Sequence, residues 1–157
     1  MRFLNFRFFF LILFLPINSF SKEALVFSTT FSNLLVKVAE TYEEKQKGLM
    51  FVSKLSQTNG LLLLYKKPKV VNIWMHNTQI PLDLIFINNQ KKVVMMKKGE
   101  PFSKKIISSI TPVIGVLEIP EGCAKKLNIK VGDKASWRIV ERINSKNIRY
   151  YHCLDDF

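Results

Sequence analysis

Pro81 constrains this chain more than any other residue, because of what stands on either side of it. Between Trp74 and Ile87 both ends are apolar. The middle packs an indole, a thioether, an imidazole, an amide, a hydroxyl and a carboxylate (Trp74, Met75, His76, Asn77, Thr78, Asp83) within ten positions. A proline lacks the N–H that a ladder needs and fixes φ, so no regular strand can run through this stretch. The pattern predicts a strand ending near Met75, a corner over 77–81 held by the Asn77 and Thr78 side chains, and a buried strand over 83–87.

The flanking sequence supplies further strands. Residues 34–40 alternate between apolar and mixed positions, the mark of a half-buried strand. Thr41 followed by Glu44 is a capping-box pattern and predicts a short helix from Tyr42 to about Met50. Asn59 and Gly60 mark a turn into an apolar strand over 61–65, which Pro68 should break, and 70–75 forms the next strand. Residues 84–87 are apolar at every position, so both faces of that strand should be covered. Asn88 to Gln90 reads as a hairpin turn into a return strand over 93–97. After an irregular passage to about Thr111, strands over 113–119, 135–143 and 148–154 follow, with a helical turn over 124–127 and turns at 131–134 and 144–147. About eight short strands with one or two short helices imply an α+β fold, mainly antiparallel, with a curved or barrel-like sheet that limits exposed edges.

The chain opens with two arginines around a phenylalanine-rich start, then an apolar run over 8–15, Pro16, and small residues at Ser19 and Ser21. This matches a secretory signal peptide over 1–21, too short to span a bilayer comfortably, followed by a single domain over 22–157. A periplasmic or secreted location follows. The 136 remaining residues suit one core. Of the formal charge of +12, Arg2 and Arg7 belong to the leader, which leaves about +10. Most of it comes as lysine pairs at expected turns and strand ends, a solvated surface with some attraction for anionic envelope polymers or lipid headgroups. Arginines interleaved with aromatics, the better sign of nucleic-acid binding, approach that pattern only near the C-terminus, at Arg138, Arg142, Arg149, Tyr150 and Tyr151. The expected partners are therefore a small molecule or an envelope component, with no nucleic acid, a monomeric state, and membrane contact only through the signal segment before cleavage. Cys123 and Cys153 have the right compartment for a disulfide, but spacing alone leaves the pairing open.

In order along the chain stand Val38-Ala39-Glu40-Thr41, Gly48-Leu49-Met50, Gly60-Leu61-Leu62-Leu63, Trp74-Met75-His76-Asn77-Thr78, Ile80-Pro81-Leu82-Asp83, Leu117-Glu118-Ile119-Pro120-Glu121-Gly122 and Val131-Gly132-Asp133. Together these pieces resemble the domain of unknown function 192 family, over about residues 34–143, with the tryptophan motif the most specific. The resemblance implies a compact β-rich domain, often exported, and no defined activity. The chain departs from the family pattern at His76, where lysine is usual, at Val52, where a basic residue is usual, and in the leucine-rich run after Gly60.

Three functional readings are open. A binding or accessory module would use the corner, with Trp74, Met75 and Met50 as apolar walls and His76, Asn77, Thr78, Asp83 and Glu118 as polar determinants. A hydrolase-type enzyme would pair His76 with Asp83 as a general base, although neither Thr78 nor Ser53 has the flanking sequence of an activated hydroxyl. A purely structural or partner-binding domain needs no pocket, and then Asp83 and Asn77 simply tie down backbone N–H groups of the corner. No catalytic residue and no cofactor is assigned. Soft sulfurs at Met50, Met75, Met95 and Met96 lack the repeated spacing of a copper site, and His76, His152, Cys123 and Cys153 lack the close ligand pairs of a zinc site. If its strand is enclosed, Glu118 joins Asp83 as a second buried acid; two interacting carboxylates would signal function.

Overall fold

The computed structural model describes residues 22–28, 33–55, 58–140 and 153. The expected signal segment, the turn at 144–147 and the last strand, apart from Cys153, lie outside the described residues. In chain order the elements are β1 (Glu23–Phe27), β2 (Leu34–Ala39), α1 (Tyr42–Lys47), β3 (Leu61–Lys69), β4 (Asn72–Ile73), β5 (Leu82–Ile87), β6 (Val93–Gly99), β7 (Ile107–Ser108), β8 (Val113–Pro120), α2 (Cys123–Lys126) and β9 (Ser136–Val140). Seven strands form one sheet in the order β6-β5-β8-β3-β2-β1-β9, and β4 pairs with β7 as a separate ribbon. Every neighbouring pair is antiparallel except β2 with β3. The fold is α+β with a mixed, curved sheet that does not close. At one corner its two edges meet, where Lys92 bridges Lys134 and the Val93 amide donates to the Asp133 carbonyl at 2.9 Å.

The two faces of this sheet carry different cores, and side-chain alternation sorts residues between them. β5 is buried at all six positions, as its unbroken apolar run requires. Ile85 and Ile87 face a first core with Leu117, Ile119, Val36 and Leu62, covered by Cys123 and Ala124 of α2. Leu82, Leu84 and Phe86 face a second core with Leu61, Leu63 and Val116. This one is covered by Val71, Ile73 and Ile107 of the ribbon region and by Leu49 and Leu55 of the segment after α1.

Local chemistry sets the boundaries. The Thr41 hydroxyl accepts from the Glu44 amide at 3.1 Å, and the Glu44 carboxylate accepts from the Thr41 amide at 2.9 Å. These two bonds are the expected capping box. α1 ends at Lys47 instead of Met50, because Gly48 turns the backbone with a φ of 48°. Pro68 does not end β3, which runs on to Lys69 through a register shift opposite β8 that needs no N–H from the proline. The strand expected over 70–75 contracts to β4, and the irregular passage before Thr111 contains β7. Between Asn88 and Val93 the Asn88 side chain accepts from the amides of Gln90 and Lys92, both at 3.0 Å, while the left-handed residue is Lys91. β1, unforeseen, is an inner strand between β2 and β9.

Cys123 and Cys153 form a disulfide with Cα atoms 5.8 Å apart. A second tether adds to it, since the Cys153 amide donates to the buried Asn59 Oδ1 at 2.7 Å.

Candidate functional site

The corner forms as Pro81 demanded, but its hydrogen bonds are mostly backbone ones. Thr78 donates its amide to the Met75 carbonyl at 3.0 Å, closing a turn in which Asn77 takes a left-handed conformation, φ 54°. Asparagine tolerates that region better than most side chains. Two flanking segments then dock on the turn. The Phe51 amide donates to the Asn77 carbonyl at 2.9 Å, and the Phe102 amide donates to the Thr78 carbonyl at 3.0 Å. Phe51 and Phe102 are themselves left-handed, at 62° and 59°. Three non-glycine residues in this region, joined through one turn, mark a place where the surrounding structure holds the backbone against its preference. Above the turn Trp74, 45% exposed, stacks on His76 with centroids 4.8 Å apart and planes 28° from parallel.

Beneath the segment after α1 lies Glu118. Its strand places it opposite Leu61 on one side and Leu84 on the other, on the face of the second core. It is 5% exposed, whereas the buried carboxylate oxygen without a hydrogen-bond partner among the described residues is Glu23 Oε2 on β1. Gly48 sits over Glu118, so that a Cβ there would stand 3.8 Å from its Oε2. Burial in this apolar layer pushes the carboxyl up to about 7. Tyr65 is pushed up to about 12, first by its own burial and then by the nearby Glu118 charge. The Nζ atoms of Lys45 and Lys69 stand 5.5 and 5.2 Å from the centroid of the Tyr65 ring. Burial also lowers Lys45 from the ordinary lysine range. A carboxyl poised near neutrality under a glycine lip, with a rim of lysine and aromatic side chains, can donate or accept a proton or a hydrogen bond at physiological pH.

Comparison with known proteins now decides the family. The profile of DUF192, described as uncharacterised ACR, matches residues 25–137. The chain belongs to the DUF192 family. Among similar sequences are UPF0127 proteins of Thermococcus sibiricus, 26% identical over 106 residues and 68% of either chain, and of Thermococcus gammatolerans, 25% identical over 107 residues, 68% of this chain and 69% of that one. Two crystal structures share the fold with a TM-score of 0.68 each. One is a protein of unknown function from Novosphingobium aromaticivorans, 32% identical, covering 78% of this chain and 90% of that one. The other is a proposed transcription regulator from Sinorhizobium meliloti 1021, 28% identical, covering 74% and 93%.

In this DUF192 chain the residues singled out from the sequence divide between the two sheet faces. Met75 and Glu118 belong to the side of the second core, where Trp74, His76, Asn77 and Thr78 form the corner, and half-buried Met50 directly follows Leu49 of that core. Met75 is buried against Gly99, a core filler beneath the corner. Thr78 is buried too, its hydroxyl donating to the His76 carbonyl at 3.4 Å. Asp83 points the other way. Its Oδ2 accepts from the Ala124 amide at 3.0 Å, and the Gly122 amide also serves it, so it ties α2 to the sheet and not the corner. No contact joins His76 to Asp83, and Asp83 and Glu118 are enclosed but do not pair. Among the described residues no cluster of three or more His, Cys, Asp or Glu side chains could hold a metal ion.

One feature of the site escaped sequence reading. A cavity of about 290 Å³ lies beside the corner, lined by Lys97, Lys98, Glu100, Ser103, Lys105 and Ile107 among others. Lys98 is tied to Glu121 at 2.6 Å. The signal was present as two lysine pairs, but only the fold brings positions 97 and 105 to one rim.

Proposed function

We propose that this chain is an exported binding module whose recognition site lies on the second-core side of the sheet, between the segment after Gly48 and the Trp74 to Thr78 corner. Glu118 is its buried polar determinant, Trp74 and Met50 are its apolar rim, and His76 and Asn77 are polar groups within reach of solvent. The observation that carries this reading is the Glu118 carboxyl, enclosed among apolar neighbours under Gly48 and raised by that burial to about 7. Such a group costs stability unless something else uses it. Export is supported by the leader-like start and by the Cys123–Cys153 disulfide, which persists in oxidising compartments.

The hydrolase reading gains nothing from the geometry, since His76 stacks on Trp74 and Asp83 is engaged by α2. The regulator among the structural neighbours suggests DNA, but α1 and α2, six and four residues long, offer at most about 9 Å of helix to a groove.

A thermal-shift screen of polar small molecules against the mature chain, at pH 6 and pH 8, tests the proposal. A true ligand at a hundredfold excess over Kd adds about 2.7 kcal/mol to stability. That gain should be lost in Glu118→Gln and reduced in Trp74→Ala. A ligand whose shift survives both substitutions would place the site elsewhere and overturn the reading.

A further inference from the structure

The β4/β7 ribbon covers the second core with one face and leaves the other bare. Val71, Ile73 and Met75 are buried while Val70, Asn72 and Trp74 are exposed, so the alternation turns the second set outward. On the partner strand Ile106 and Ile110 are 56% and 75% exposed. Asn72 pairs with Ser108 and Ile73 with Ile107. The same register, carried one step further at one end, sets Trp74 across from Ile106; carried two steps at the other, past Val71 and Ser109, it sets Val70 across from Ile110. Four large exposed apolar side chains, Val70, Trp74, Ile106 and Ile110, therefore flank the two-pair ladder on its outward side, with Phe102, also exposed, preceding the second strand. A patch of this kind on a soluble surface marks an interaction site.

The charge around it identifies the partner. Lys69 precedes Val70, Lys104 and Lys105 precede Ile106, and all three are exposed. Lys66 and Lys67 extend the same run, and positions 66–75 and 102–112 contain no acidic residue. Glu100, on the rim of the adjoining cavity, is the nearby acid, and Lys97, Lys98 and Lys105 surround it. Apolar side chains including a tryptophan, bordered by lysines, match the two layers of an anionic bilayer surface: acyl boundary beneath, phosphate headgroups above. We propose that the outer face of the β4/β7 ribbon docks the folded protein on an anionic phospholipid bilayer. Trp74, Ile106 and Ile110 enter the interface, and Lys69, Lys104 and Lys105 engage the headgroups. This extends bilayer contact beyond the signal segment, to which the sequence had confined it. It shares Trp74 and Lys69 with the rim of the Glu118 site but does not rest on that site's binding a ligand, and no helix of the described residues is long and apolar enough to cross a membrane.

The test is sedimentation of the mature chain with phosphatidylcholine vesicles containing 30% phosphatidylglycerol, in parallel with phosphatidylcholine alone, at low and high salt. Trp137→Phe leaves Trp74 as the fluorescent reporter. Binding is expected to the anionic vesicles only, with a blue shift of Trp74 emission and weakening at high salt. The double variant Ile106→Ser/Ile110→Ser, at exposed positions and checked for folding by circular dichroism, should lose at least tenfold in affinity. Lys104→Glu/Lys105→Glu should lose as much, whereas Lys125→Glu/Lys130→Glu, on the α2 side, should stay within about threefold. No binding at low salt overturns the proposal. So does binding that Ile106→Ser/Ile110→Ser leaves intact, which reduces it to diffuse charge attraction, or self-association through this face that leaves vesicles untouched.

Discussion

Asp83 and Glu118 are buried carboxylates on opposite faces of the sheet, and the two are treated in opposite ways. On the α2 side, Asp83 accepts from the amides of Ala124 and Gly122, and the helix it holds is fastened again by the Cys123–Cys153 disulfide. Its carboxyl still lies above the ordinary range, because burial outweighs those amides. On the ribbon side, Glu118 is enclosed just as fully and is raised by burial to about 7, and nearby backbone is held in left-handed conformations at Phe51, Asn77 and Phe102. The contrast teaches which face is scaffold and which has been left energetically incomplete. Burial alone does not make a carboxylate functional; burial that brings it near neutrality is the informative case.

The largest expected effect falls on the scaffold face. The disulfide closes a separation of 30 residues, and removing it by Cys153→Ser should lower unfolding stability by about 3.5 kcal/mol on the chain-entropy argument. Chemical denaturation of the oxidised chain and the variant measures it. A loss under about 1 kcal/mol would mean the Cys153 to Asn59 bond already holds that residue, and the two faces would be less unlike than they look.

Next in size is the pH response of Glu118. Below about pH 4.5 the folded and unfolded states are both protonated there, and the group adds no pH dependence. Between about 4.5 and 7 the unfolded chain ionises first, so the folded state holds the extra proton and stability falls as pH rises. Above 7 the penalty is constant, on the order of 3 kcal/mol for a shift of that size. Denaturation midpoints followed from pH 4 to 8 should show this decline in the native chain and a much flatter curve in Glu118→Gln. The remaining slope belongs partly to Asp83, whose raised carboxyl acts in the same direction. A curve unchanged by Glu118→Gln would remove the difference between the two acids.

Asp83→Ala comes third. It strips α2 of a buried acceptor for two amides and should cost about 2 kcal/mol, an ordinary price for orphaned buried donors. Asp83→Asn keeps one acceptor oxygen and should recover more than half of that. If Asp83→Ala also abolished a ligand that Glu118→Gln abolishes, the recognition site would have to reach through the sheet.

Much of this division was legible in advance. Apolar continuity in 84–87 required cover on both faces, and the capping box and the corner at Pro81 follow from local chemistry that no tertiary contact overrides. Which way Asp83 and Glu118 point was not legible, because alternation fixes relative facing within one strand and says nothing of how two strands register. That register comes from close backbone approach: a Cβ at Gly60 would overlap the Glu118 carbonyl oxygen, so the turn at Asn59 and Gly60 also sets where β3 lies against β8. β1 was missed because its sequence, starting just after the expected signal segment, is too short to show a period. The ribbon was missed because its two strands lie 34 positions apart, as Ile73 and Ile107 show, and each is only two residues long.

The smallest effect concerns how the corner is held, and it separates side-chain chemistry from backbone shape. The Asn77 amide group makes no hydrogen bond among the described residues; what the turn takes from this residue is a φ of 54° and a carbonyl that receives the Phe51 amide. Asn77→Gly supplies both, so stability should change by no more than about 0.5 kcal/mol, any unfolded-state entropy cost being offset by relief at positive φ. Asn77→Val should cost about 1–2 kcal/mol, since a β-branched residue is strongly disfavoured in that region. Thermal melts of the pair give the comparison directly. If glycine proves as damaging as valine, the amide has a partner in solution, and Asn77 then belongs with the recognition groups of the ribbon side instead of with its scaffold.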